Sequence, residues 1–441
     1  MKLVVRTSDP GFKRVWRRLE GRGEILATSV EPAVRAIVED VRKRGDRAVA
    51  AATRRFDGVR VPADRLSIGP REMKEACGEL PRADLAALRT AARRIRAFHR
   101  HQVERSFRYR DELGVTLGQE IRPLGRVGLY IPGGLAFYPS SVLMNGIPAQ
   151  VAGVGEVIAV TPPHQGGEPA TLLAAAHLAG VDRIFRVGGA QAVAALAFGT
   201  EKIPRVDKIV GPGNAFVATA KRLVSGRVGI DMVAGPSEVV VVADVSANPE
   251  LVAADLLAQA EHGADSTAIC LTPSLRLAKA VERAVSEQLA ELPRAELARR
   301  AIADLGAVIV TRSLAEAVEL ANELAPEHLE LAVKNPRALL AKIHRAGAIF
   351  LGHHSPEAFG DYLAGPNHTL PTGGTARFAS PLGVYDFVKR TSVIEANPRA
   401  LRALAAPLER LTRMEGLDAH GAAVTRRVRD GGGSGRKSRS R

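Results

Sequence analysis

The sequence predicts an α/β architecture: parallel sheets with helices on both faces, a helical N-terminal segment and a small C-terminal helical unit. Three observations carry this. From about residue 126, short apolar runs alternate with Ala-rich stretches of helical period, each about 10 to 15 residues long, as in β-α-β units. Runs such as Val239-Val-Val-Val-Ala243 are apolar at every position, as in strands covered on both faces. The 441 residues exceed one ordinary core, so two or more domains of ~100 to 200 residues are expected.

Residues 31–57 and 81–107 place apolar side chains at helical spacing among many Arg and Glu, and Pro81-Arg-Ala-Asp84 supplies a start signal, so the opening quarter is mainly helical. Strands are expected at 126–131, 156–161, 183–187, 207–210, 238–244, 266–272, 307–311 and 348–351, with a further strand-like run, Leu329-Glu-Leu-Ala-Val333. Helices are expected at 169–179, 190–198, 213–224, 248–262, 274–290, 313–323 and 336–345. Residues 377–390 are mixed and Gly-containing, 398–429 form a terminal helical unit, and no repeat of fixed period occurs.

Apolar residues at 46% and aromatics at 4% imply an Ala, Val and Leu interior and exclude a disordered chain. A formal charge of +15 raises the question of nucleic acid or an acidic membrane. Yet the last sixteen residues hold seven basic side chains against one Asp, so much of the excess belongs to a tail, 430–441, that reads as solvated and disordered. With no basic patch interleaved by aromatics, nucleic acid is not expected as a partner. The two cysteines, Cys77 and Cys270, exclude a disulfide framework and a thiolate metal cluster. No signal-peptide pattern and no run of about 18 apolar residues occurs, so a cytoplasmic location away from membranes is expected.

Three Gly-rich turns stand where strands pass into helices: Tyr130-Ile-Pro-Gly-Gly134, Val187-Gly-Gly-Ala-Gln191 and Val210-Gly-Pro-Gly-Asn214. Such turns let a ligand approach the backbone and a helix N-terminus, although each alone fits equally a tight turn of the fold. Gln259 and His262 stand three apart near a helix end and share one face, with Gly263 as a fitting cap. An amide oxygen and a neutral imidazole can both bind a borderline cation, but such a pair is more often a solvated helix end. Glu327-His328 sets a carboxylate beside the side chain that best exchanges protons at neutral pH. The loop 360–374 is too polar and too rich in Gly and Pro for core, and Asp361 and His368 are its chemical candidates. His353-His354 reads as a plain turn, because adjacent residues seldom aim at one ion, and Glu415-Gly-Leu-Asp-Ala-His420 means little in isolation. Cys270 lies within an apolar run and Cys77 on a helix, so neither reads as an activated nucleophile.

Taken together, Gly128-Leu-Tyr-Ile-Pro-Gly-Gly134, Gly188-Gly-Ala-Gln-Ala192, Gly211-Pro-Gly-Asn214, Ala234-Gly-Pro-Ser-Glu238, Gln259-Ala-Glu-His-Gly263, Pro326-Glu-His-Leu-Glu330, Gly365-Pro-Asn-His-Thr-Leu-Pro-Thr372 and Glu415-Gly-Leu-Asp-Ala-His420 resemble the histidinol dehydrogenase family, in its order, over roughly residues 25 to 425. The resemblance implies two Rossmann-like domains of the aldehyde-dehydrogenase kind. These are a metal and substrate domain from 26–129 and 237–382 and an NAD-binding domain at 130–236, with an N-terminal arm at 1–25 and a dimerisation unit at 383–429. It implies oxidation of L-histidinol through L-histidinal to L-histidine, the last step of histidine biosynthesis, with NAD as oxidant. One Zn2+ per subunit would be held by Gln259, His262, Asp361 and His420, and NAD would be contacted by Tyr130, Gln191 and Asn214. Substrate would be held by Ser237, His328, Glu415 and the metal ligands, with Glu327 and His328 as the catalytic pair. A homodimer is implied, its C-terminal unit completing the partner's site through His420. A related dehydrogenase of another small alcohol, such as a sulfonated propanediol, is the alternative; a carboxylate at Glu415 suits a cationic amine better than a sulfonate. A metal hydrolase would leave the Gly-rich turns unexplained.

Overall fold

A computed structural model describes residues 3–22, 24–133, 137–164 and 166–430; Gly134 of the first Gly-rich turn and the tail from 431 onward lie outside the described residues. The strands in chain order are β1 (Val4–Arg6), β2 (Ser67–Ile68), β3 (Phe107–Arg110), β4 (Thr116–Pro123), β5 (Arg126–Tyr130), β6 (Glu156–Thr161), β7 (Arg183–Arg186), β8 (Lys208–Val210), β9 (Gly229–Ile230), β10 (Glu238–Ala243), β11 (Thr267–Thr272), β12 (Gly306–Val310), β13 (His328–Ala332), β14 (Ala348–Leu351) and β15 (Val388–Glu395). The chain forms two compact units, Met1–Val103 with Leu124–Phe387, and Glu104–Pro123 with Val388–Arg441.

The first unit holds two six-stranded sheets. One runs β1-β12-β11-β10-β13-β14 and is parallel throughout; the other runs β2-β7-β6-β5-β8-β9 and is parallel except for β2. Every residue of β10, β11 and β13 is buried, which is why β10 and β11 read as apolar runs rather than alternating ones, whereas β13 buries His328 and Glu330 as well. Val239 and Val241 face one core, with Leu257 and Val281; Val240 and Val242 face the other, with Leu320 and Leu329. The second sheet is likewise sandwiched, Ile158 and Val160 on one side and Val127 and Leu129 on the other.

Among the elements that depart from the sequence expectation are three helices of the first unit. Helix Pro139–Ala152 has no apolar stripe because it is buried on all sides from Ser141 to Ala149, so its period is invisible. The helix bearing Gln259 stops at Ala260 with Glu261 as its cap, and the His262 N–H turns back to the Gln259 carbonyl at 3.3 Å. The expected helix at 336–345 is limited to Pro336–Leu340.

The second unit is an antiparallel sheet, β15-β4-β3, followed by helices Pro398–Met414 and Asp418–Asp430. Its strands carry charged side chains on open faces, with β3 exposed at all four residues, and so present no apolar run in the sequence. It leaves Ile394, Leu411 and Met414 exposed, the last at 77%. Among the described residues no helix is long and apolar enough to cross a membrane.

Candidate active site

In the second sheet the strand order reverses between β5 and β8, and there the crevice beyond the strand carboxyl ends is the expected place for a ligand. Tyr130 closes β5 there, buried, its hydroxyl accepting from the Gly189 N–H at 3.0 Å. Desolvation lifts that phenol to about 12. Gln191 is buried in the first turn of helix Gly189–Phe198, its amide 3.5 Å from Asp57. Asn214 caps helix Ala215–Val224, accepting from Phe216 N and Val217 N. Gly211 is required: at φ +111°, any Cβ would stand 2.3 Å from the Tyr130 carbonyl. A cavity of about 310 Å³ is lined by Gly213 and Asn214 from this edge and by Arg22, Pro236 and Thr372 from the opposing one.

The opposing edge is the amino end of the first sheet, and the candidate acid–base residues gather on it. Helix Leu314–Leu324 ends in Ala325, whose φ of 47° is the one positive value for a non-glycine among the described residues. That turn throws Pro326 and Glu327 into the start of β13 beside β10. The Glu238 N–H donates to Glu327 Oε2 at 2.9 Å, and the Glu238 carbonyl lies 3.1 Å from His328 Nδ1. Since a carbonyl only accepts, Nδ1 carries the proton and Nε2 is left for chemistry. Among the described residues Nε2 is buried and makes no hydrogen bond of good geometry, with Asp361 Oδ1 standing 3.4 Å from it.

Around His328 stand Asp361 at 3.4 Å, Glu327 at 3.7 Å and Glu357 at 3.8 Å. Burial opposes charge on His328, yet Glu357, Glu327 and Asp361 together hold its pKa well above the ordinary value. Burial raises Glu327 to about 8 and Glu357 to about 7, against the pull of His328. Asp361 is also penalised by burial, but contact with His328 brings it below its ordinary value. His262 is exposed at the cavity beside it, yet desolvation by the surrounding chain lowers its pKa, which favours the neutral imidazole that can ligate.

Ligand atoms of His262, Glu357 and Asp361 lie within 4.8 Å of one another. Gln259, wholly buried, faces Glu357, to which its amide N–H groups donate at 2.9 and 3.2 Å once the amide is turned nitrogen-first, the orientation its neighbours require. Three carboxylates around one or two imidazoles, together with an orphaned buried Nε2, are a donor set that a divalent cation fits. Sequence reasoning misses Glu357 because Ser355-Pro356 reads as a turn; its i, i+4 spacing to Asp361 is the available signal. Ser237 stands in the turn before β10, its carbonyl accepting from Thr267 N at 3.0 Å, and His368 Nδ1 lies 3.1 Å from the Asp361 carbonyl. Beside His262 a cavity of about 420 Å³ is lined by Leu88, Tyr138, Met144, Glu261, Arg294 and Tyr362. His353 and His354 lie in a turn. Glu415 and His420 belong to the second unit, Glu415 capping helix Pro398–Met414 and both side chains exposed.

The model of the histidinol dehydrogenase family matches residues 21–428. The chain belongs to the histidinol dehydrogenase family. Histidinol dehydrogenase of Syntrophotalea carbinolica is 54% identical over 98% of this chain and 100% of its own, and that of Aquifex aeolicus 51% over 93% and 96%. The crystal structure of histidinol dehydrogenase from Elizabethkingia anophelis, 37% identical, superposes with a TM-score of 0.90 over 97% of this chain and 98% of that one. The chain is thus an oxidoreductase of this family, with its α/β fold.

Proposed function

We propose that the chain catalyses the zinc-dependent, NAD-linked oxidation of L-histidinol through L-histidinal to L-histidine. The observation that carries the proposal is the buried pair Glu327–His328, with Nδ1 of His328 committed to a backbone carbonyl and Nε2 left without a partner among carboxylates. Gln259, His262 and Asp361, with His420 of the partner subunit, would hold zinc, and Glu357 stands against this set. Zinc, when bound, supplies a Lewis-acidic anchor for substrate nitrogen and offsets the negative field that keeps a proton on His328. NAD, a hydride acceptor, would lie against Tyr130, Gln191 and Asn214 of the 130–236 domain, across the cleft from the acid–base edge.

The chain's own groups then divide the proton work. His328 Nε2 takes the hydroxyl proton in the first oxidation. Glu327, ionised, takes a proton from water as that water adds to the aldehyde, giving a hydrate for the second oxidation. Ser237, Glu415 and the ligand residues would orient the amine and imidazole of the substrate. No thiol shares the work: Cys270 is fully buried on β11, its thiol pushed to about 12 by desolvation, and Cys77 turns its Sγ to the Met73 carbonyl at 3.8 Å. The exposed Ile394, Leu411 and Met414 support a homodimer formed through the second unit. Two free cysteines suit a reducing cytoplasm.

The test is to supply L-histidinol, NAD and zinc and count NADH per substrate consumed. Two per substrate is expected; none, or one with aldehyde accumulating, overturns the proposal.

A further inference from the structure

One buried ion pair lies directly behind the acid–base residues. Arg22, which follows helix Phe12–Glu20, and Glu238, the first residue of β10, have side chains 6% and 2% exposed, with guanidinium and carboxylate 2.5 Å apart. Every end of this pair is tied down. Arg22 Nε donates to Glu238 Oε2 at 2.7 Å, Nη1 to the Leu19 carbonyl at 2.9 Å and Nη2 to the Leu324 carbonyl at 2.6 Å. The other carboxylate oxygen, Oε1, accepts from Gly373 N, beside the Thr372 hydroxyl that takes Gly235 N at 2.5 Å.

These attachments converge on the two chain segments that hold the catalytic pair. Glu238 presents its N–H to Glu327 and its carbonyl to His328. Leu324 is the last helical residue before the left-handed Ala325, three residues ahead of Glu327. A buried ion pair is weak evidence of stability, because apolar replacements pack as well, whereas a planar guanidinium joining two chain segments fixes their geometry.

We infer that Arg22 and Glu238 are positioning residues: Arg22 locks the start of β10 to the turn that launches β13, and thereby fixes Glu327 and His328 relative to each other. The inference rests on the assignment of Glu327 and His328 as the acid–base pair. Among the described residues no hydrogen bond joins Arg22 or the Glu238 carboxylate to those two side chains; Arg22 acts through backbone, while the Glu238 carboxylate also bears on Glu327 and His328 through its charge, which is why Arg22→Lys, with both charges kept, is the cleaner variant.

The test compares Arg22→Lys and the double variant Arg22→Met/Glu238→Gln with wild type and with His328→Asn, all zinc-loaded, by the rate per folded enzyme. Lysine keeps the charge but cannot bridge Glu238, Leu19 and Leu324 together; the double variant removes both charges and leaves none unpaired. For both, kcat on L-histidinol should fall about a hundredfold, the cost of a small misplacement of reacting groups, while KM for L-histidinol changes less than about threefold. The pH profile of kcat should move with it, since the neighbours of His328 have moved. Wild-type kcat and pH profile per folded enzyme in either variant overturns the inference, as does a loss that only tracks the folded fraction. Full activity in His328→Asn would instead overturn the acid–base assignment, whatever the Arg22 variants do.

Discussion

At the scale of single residues, the site is a concentration of buried carboxylates with too few cations. Glu357 and Glu327 keep their protons to about pH 7 and about 8, whereas in the unfolded chain both ionise at the ordinary carboxyl value. The metal-free native state therefore binds more protons than the unfolded state across that window. The resulting stability is fully present below the ordinary value and is lost as pH rises through about 8, by up to about 1.4 kcal/mol per pH unit for each group. Asp361, held low, acts in the opposite sense at more acid pH, and His262 and His368, lowered by desolvation, do so only up to the ordinary imidazole value, where the raised His328 acts against them. Zinc-stripped protein should thus melt at a lower temperature at pH 8 than at pH 5, and added zinc should raise the melting temperature most at the higher pH. A melting temperature that climbs from pH 5 to 8 without metal would contradict this electrostatic picture. Glu327 and His328 are legible in the sequence as an adjacent acid and imidazole. Their burial and the partner that fixes the tautomer are not, because Glu238 is 90 residues away from His328.

At the scale of elements, most of the parallel sheet is legible because its strands are buried on both faces, and β10 and β11 are apolar at nearly every position. What stays hidden has no contrast to read: helix Pro139–Ala152 is buried all round from Ser141 to Ala149, its polar Ser141 and Asn145 included, and β3, β4 and β15 are charged and open. The Gly-rich turns are legible as turns, but only the close approach of Gly211 to the Tyr130 carbonyl shows why one of them needs glycine. Gly211→Ala must strain a left-handed backbone and push β5 and β8 apart at the crevice. It should cost about 1 to 3 kcal/mol in urea unfolding and raise KM for NAD more than it lowers kcat. An unchanged KM for NAD with intact folding would remove this turn from the nucleotide site.

At the scale of the molecule, the two sheets place a carboxyl edge, the proposed nucleotide side, across a cleft from an amino edge that bears Glu327 and His328, the proposed acid–base pair. The second unit is legible only as terminal helices; its sheet joins strands about 270 residues apart in sequence, for which no local pattern exists. If His420 serves the partner subunit, inactive His262→Asn and His420→Asn proteins, mixed and allowed to exchange subunits, should recover about a quarter of wild-type activity, since half the dimers are mixed and each restores one site. No recovery from subunits shown to exchange would place His420 with its own chain.

The division of labour between Glu327 and His328 is the central claim, and Glu327→Gln, zinc-loaded and offered L-histidinol with excess NAD, tests it most directly. The account predicts one NADH per substrate at a near wild-type first rate, with L-histidinal accumulating, because water is no longer activated. Two NADH at wild-type rates, or loss of the first oxidation together with the second, would contradict it.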